Sequence, residues 1–255
     1  MIALKPIGAD PYHRLGSVEL GCFRLEEVIG QGSYGTTYLA TQLGFDRQAV
    51  VKIAHAELLD TRDAETFAKG FVPNSINIGI DGSFAPWVGA LILDIRQEIL
   101  LIAEPGREEE VVTRLARVGY DYVIGYLDGG YQAWKEAGME ADAIQRVDAA
   151  EVGRLIQRGD QLHVLDVRKA SEYFSEHVLD AENAPLDFIN DSMAQVDKNK
   201  TYFVHCAGGY RSMIFASILR ARGFDNLVDV RGGFKALKES GSVPVSDYVC
   251  PSTML

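Results

Sequence analysis

Cys206 is the residue of this chain best placed for covalent chemistry. An apolar run, Tyr202-Phe203-Val204, ends at His205, and the cysteine follows at once. Ala207, Gly208, Gly209, Tyr210 and Arg211 come next. From Ser212 a helical pattern puts Ile214, Ile218 and Leu219 on one face, with Ser212 as its expected N-cap. A loop between a buried strand and a helix can gather backbone N–H groups on one point, because glycine allows the turn, and the positive end of the helix dipole faces the same way. Both favour the thiolate, which is the nucleophile, and Arg211 adds positive charge. A free cysteine is more often an inert core residue. The order strand, Cys, Gly-Gly, Arg, helix argues against that here.

Several segments must position this loop. They are Val164-Leu165-Asp166-Val167-Arg168, Glu172-Tyr173, Asn183-Ala184-Pro185 and Asp229-Val230-Arg231-Gly232-Gly233-Phe234. With the Cys206 loop they make five motifs in an order that resembles a rhodanese (sulfurtransferase) domain over residues 147–243. The resemblance implies an α/β domain with a central parallel sheet, in which Cys206 carries sulfur as a persulfide. Backbone N–H groups of Ala207, Gly208, Gly209, Tyr210 and Arg211 would hold the anionic sulfur. Arg211 would bind the donor's charged end or stitch the loop by a salt bridge. Asp166, Arg168 and Glu172 match family positions and are expected to brace the loop. Tyr210 is expected to line the mouth, and His205 to point away from it.

An earlier stretch repeats the pattern. Asp60 pairs with Asp166, Arg62 with Arg168, Gly119-Tyr120 with Gly223-Phe224, and Gly129-Gly130 with Gly232-Gly233. The offset is about a hundred residues. Residues 57–143 thus resemble a second rhodanese domain without the nucleophile, since Ile102 or Ala103 falls where Cys206 would be. The following loop carries Pro105, which has no N–H, and the acidic run Glu108-Glu109-Glu110. This copy is expected to be a structural partner or docking surface. Phe84-Ala85-Pro86-Trp87-Val88 is expected to pack in the core or between domains.

Residues 1–56 differ in character. Phe23 to Ile29, then Gly30, Gly32 and Gly35 in a GxGxxG loop, then Thr37 to Ala40 and Ala49 to Ile53 with Lys52, resemble the first strands of a protein kinase. In that family the glycines cover ATP phosphates and the lysine holds them. No HRD or DFG segment follows, so phosphoryl transfer is not expected and the match is read as vestigial. The paired copies also resemble rhodanese modules that follow metallo-β-lactamase-fold domains of persulfide dioxygenase type, but no HxHxDH cluster occurs among the five histidines.

The fold expected is therefore α/β: two rhodanese-like domains with parallel sheets, a small β-rich N-terminal fragment, and a loosely held tail over 244–255. A formal net charge of −11 argues against nucleic acid and anionic membrane as partners. Cys22, Cys206 and Cys250 have no zinc-like spacing, so neither metal nor cofactor is expected. With no signal-peptide pattern in residues 1–10, the cytoplasm is the default compartment. The expected activity moves sulfur from thiosulfate or a persulfide, a small anionic donor, to cyanide or a thiol, including a protein thiol. A non-catalytic interaction module is the alternative from another class. A cysteine phosphatase fits less well, because the four residues between Cys206 and Arg211 make a smaller loop than that family uses around phosphate.

Overall fold

The structure is a computed structural model that describes residues 4–5, 19–20, 23–32, 35–42, 47–54 and 56–250. Apolar runs separated by turn residues build three sheets. β1 is Leu4–Lys5. β2 (Glu19–Leu20), β3 (Phe23–Gly32), β4 (Gly35–Gln42) and β5 (Arg47–Ala54) form an antiparallel four-stranded sheet in chain order. The glycines expected in a loop lie within its strands: Gly30 pairs with Thr37 and Gly32 with Gly35. Lys52 sits opposite Thr37.

The rest alternates strand and helix twice. The first unit runs β6 (Glu57–Asp60), α1 (Ala64–Lys69), β7 (Ile76–Asn77), α2 (Phe84–Leu91), β8 (Ile99–Ile102), α3 (Glu108–Ala116), β9 (Val123–Leu127) and α4 (Gly130–Glu136). The second runs β10 (Gln145–Val147), α5 (Ala149–Gln157), β11 (His163–Asp166), α6 (Ala170–Ser175), β12 (Glu182–Asn183), a 3₁₀ turn (Leu186–Phe188), α7 (Ile189–Ala194), β13 (Tyr202–His205), α8 (Tyr210–Ala221), β14 (Leu227–Val230) and α9 (Gly233–Glu239). The sheet orders match: β1-β9-β8-β6-β7 and β10-β14-β13-β11-β12. Neighbours are parallel throughout, apart from β1, which pairs antiparallel with β9. Alternating strand and helix with short connections yields such sheets because the helices cover both faces.

Helix α8 joins the two units. Every residue from Ser212 to Leu219 is buried. One side packs on β13 and β14 of its own sheet and another on β7, the edge of the first sheet. Ser217 Oγ accepts the Asn77 backbone N–H at 2.9 Å across that boundary. The apolar residues of both units form one continuous core from Leu59 to Leu227, with Phe84 and Val88 of the aromatic segment inside it. Arg220 and Asp142 close the seam with paired bonds of 2.7 and 2.8 Å.

The tail corrects one expectation. Up to Cys250 it is tied down: Ser246 N–H donates to His177 O and Val249 N–H to Ser175 O, both at 2.8 Å. Residues 251–255 lie outside the described residues. Among the described residues, no helix is long and apolar enough to cross a membrane.

Candidate active site

Cys206 is the first residue past β13 and is 1% exposed. Its sulfur accepts the Gly209 N–H at 3.1 Å. Gly209 reaches this position with φ +103°, a value that favours glycine, and it is also the residue from which α8 starts. The helix thus begins at Tyr210, two residues before the expected Ser212, and its first turn lies directly beside the sulfur. Ala207 and Gly208 form the exposed crown of the loop.

The loop is held from below. Phe234 N–H donates to Cys206 O at 2.6 Å and Lys235 N–H to Ala207 O at 3.1 Å, both from the first turn of α9. Gly233 must be glycine here. Its φ is +57°, and a Cβ would stand 2.4 Å from Cys206 O. Asp166 and Arg168 are fully paired beneath, with Nε to both carboxylate oxygens at 2.9 Å and Nη2 to Oδ2 at 2.5 Å. The guanidinium also caps Glu176 O at 2.8 Å and lies 4.0 Å from the Phe234 ring centroid. Asn183 Nδ2 ties Asp166 O and Arg168 O together at 2.9 and 3.0 Å. This is bracing by charge-assisted bonds inside the fold, with neither side chain at the loop opening.

Arg211 and Glu172 face each other at the rim, Nη1 to Oε2 at 2.6 Å and Nη2 to Oε1 at 2.9 Å. That pair holds the Glu172 carboxyl below its ordinary range and the Arg211 guanidinium above its own. His205 is fully buried under the loop. Its Nδ1 is 3.3 Å from Cys206 O, an acceptor, so the ring proton resides on Nδ1. Nε2 makes no hydrogen bond among the described residues, and burial lowers the affinity of this ring for a second proton. His205 is therefore neutral and turned away from the opening. Tyr210 departs from expectation: its ring leaves the mouth and crosses to the first unit, where the phenol donates to Gly79 O at 2.7 Å. Burial raises that phenol's pKa.

The first unit repeats the frame without the sulfur. Asp60 and Arg62 pair as Asp166 and Arg168 do, and Asn77 Nδ2 ties Asp60 O and Arg62 O as Asn183 does its pair. Arg62 lies over the Tyr131 ring where Arg168 lies over Phe234. Gly130, at φ +61°, would place a Cβ 2.9 Å from Ala103 O, as Gly233 would against Cys206 O. The position equivalent to Cys206 is therefore Ala103.

The sequence pattern of the rhodanese-like domain family matches residues 43–137 and again residues 148–240. The chain belongs to the rhodanese family. It is 28% identical over 100 residues to the Synechocystis protein slr1261, covering 39% of this chain and 56% of that one. It is 34% identical over 83 residues to a tRNA sulfurtransferase of Thermoplasma acidophilum, covering 31% of this chain and 17% of the relative. This rhodanese thus spans about half of the one and a small part of the other. A solved rhodanese-related protein from Thermoplasma volcanium is 30% identical, with 40% of this chain and 97% of that chain covered and a TM-score of 0.36.

Of the site residues expected from sequence, the rhodanese loop Cys206 to Arg211, with Glu172, gathers at one sheet edge, while Asp166 and Arg168 lie beneath it. Sequence reasoning missed Arg146. Its Nε donates to the buried Asp229 at 2.8 Å, and its Nη1 meets Glu65 of the first rhodanese unit. Its Nη2 lies 3.8 Å from where a Gly209 Cβ would stand. Only the Asp229-Val230-Arg231 motif hinted that a cation belonged there.

Proposed function

We propose that this rhodanese is a sulfurtransferase in which Cys206 carries the sulfur. The observation that supports this most is the Gly209 N–H aimed at the Cys206 sulfur from the first turn of α8. A donor N–H and a helix start at one sulfur favour an anion there, first a thiolate and then a persulfide. In the first half-reaction the thiolate attacks the outer sulfur of thiosulfate. A new S–S bond forms, the sulfur–sulfite bond breaks, and sulfite leaves with the electron pair. In the second, an acceptor thiolate or cyanide attacks the outer sulfur of the persulfide, and the pair returns to Cys206. No net oxidant is consumed, and the kinetics are ping-pong.

On this reading residues 147–243 carry the chemistry, residues 57–143 are the cysteine-free copy, and the kinase-like Gly30, Gly32, Gly35 and Lys52 take no part. The acceptor is cyanide, a small thiol or a protein thiol. The working compartment is the cytoplasm.

The test is sulfur transfer from thiosulfate to cyanide, beside Cys206→Ser and a phosphate ester. Turnover that vanishes in the variant, with a persulfide mass on Cys206, is the expected result. Absence of both in the wild-type protein sinks the sulfurtransferase reading. It leaves a binding module, or a phosphatase if the ester is cleaved. One feature favours the binding module as a second reading: Arg211, the loop's own cation, is already neutralised by Glu172.

A further inference from the structure

Tyr210 lies between Gly209, whose N–H meets the sulfur, and Arg211, which is fixed to Glu172. Its ring nevertheless belongs to the other half of the molecule. The phenol reaches Gly79 O, 131 residues away. The seat is made by two glycines of the cysteine-free copy. A Cβ on Gly82 would stand 2.2 Å from Tyr210 Cε2 and 2.4 Å from Cζ, and one on Gly79 would stand 3.4 Å from Cε2. Neither glycine has a positive φ. At Gly82 the absent side chain answers to the tyrosine ring, not to a backbone turn. A second tie from the same copy reaches the other side of the loop: Glu65 holds Arg146, whose guanidinium borders Gly209.

We propose that the cysteine-free copy is the positioning half of the sulfur-transfer site, acting through Tyr210. The ring seated on Gly79 and Gly82 fixes the residue that follows Gly209, and so fixes the N–H that meets the Cys206 sulfur. Tyr210 is a positioning residue: it acts through Gly209 and does not touch the sulfur. The inference rests on Cys206 being the sulfur carrier, but the clamp itself can be tested without that reading.

The experiment uses the full chain as wild type, Tyr210→Phe, Tyr210→Ala, Gly82→Ala, and Gly82→Ala combined with Tyr210→Ala. Gly82→Ala pushes the ring from its seat, and turnover from thiosulfate to cyanide should fall about tenfold, since small misplacements at a reacting group are costly. The KM for thiosulfate should stay within about twofold, because the interaction lost serves the transition state and not donor binding. Tyr210→Phe keeps the ring and loses the phenol bond, and should cost about threefold in turnover, as one hydrogen bond does. In the Tyr210→Ala background there is no ring to displace, so Gly82→Ala should cost nothing further. The rate of Cys206 alkylation by iodoacetamide, followed against pH, should change in the same order.

Wild-type turnover and alkylation in both Gly82→Ala and Tyr210→Phe would overturn the proposal. So would an equal loss from Gly82→Ala with and without the tyrosine ring. If the wild-type protein transfers no sulfur, the carrier reading fails, and the alkylation rates alone decide the clamp. If Gly82→Ala fails to fold by urea melting, the two Tyr210 variants decide it.

Discussion

The two copies share a frame and differ at one N–H. In the second, Gly209 at φ +103° gives its N–H to the Cys206 sulfur. In the first, Gly106 stands at the same point with φ +87° and gives its N–H to the Glu108 carboxylate at 2.9 Å. Glu108 occupies the place of Arg211, Pro105 that of Gly208, and Ala103 that of Cys206. The first copy has thus filled its anion site with its own carboxylate. A fold that builds an anion-holding turn does not thereby build a catalyst; the turn must be left open for a ligand.

The most demanding way to break this comparison is to move the chemistry. In a Cys206→Ser background, Ala103→Cys alone should restore no transfer, because the N–H it needs is bound to Glu108. Adding Pro105→Gly and Glu108→Arg should give a persulfide on residue 103, detectable by mass spectrometry. A persulfide on the single variant would show that the carboxylate does not close the site.

The shared frame predicts equal penalties where the copies agree. Asp60→Ala and Asp166→Ala each leave a buried guanidinium unpaired and should cost about 3–5 kcal/mol in urea unfolding. A much smaller loss at Asp60 would mean that the first copy has relaxed its frame.

A smaller effect is expected at the rim. Glu172 is an acid beside the loop, held ionised by Arg211. Glu172→Gln frees a guanidinium toward the mouth and should raise turnover of dianionic thiosulfate about threefold relative to a persulfide donor, a change typical of a partly exposed charge. An unchanged ratio of donors would place Arg211 outside the donor's path.

The smallest difference is in acid. His205 is buried in the second copy, while Ile102 fills the matching place in the first. Burial holds the imidazole below its ordinary value of 6.5, so the unfolded chain takes up the proton first. Its contribution is complete above about pH 6.5 and is lost as pH falls below that point. Asp60 and Asp229, raised by burial, act in the opposite sense at lower pH, because the folded state then keeps the proton longer. His205→Leu should flatten the stability profile between pH 6.5 and 5, read from urea midpoints; an unaltered slope would assign it to other groups.

Much of this was legible in the sequence because it is local. Asp-X-Arg closes on itself within three residues, and the Gly-Gly helix start is needed for the approach to Cys206 O or Ala103 O. Repetition of both gave the two copies and the site loop. What joins residues far apart left no local mark. Arg146 meets Asp229 83 residues on. Tyr210 finds Gly79 131 residues back, so it was expected to line the mouth, although its partner lay in the other copy. Ser212 reads as an N-cap by type, but Gly209 starts the helix earlier because its backbone makes the turn around the sulfur.

Helix α8 is apolar on every side because it is shared property. The loss of a cysteine from the first copy therefore could not make that copy dispensable. Excising it would expose Met213, Ile214 and their neighbours along a full helix length. The ancestral duplication became a ratchet: each half is free to change its chemistry, and neither is free to leave.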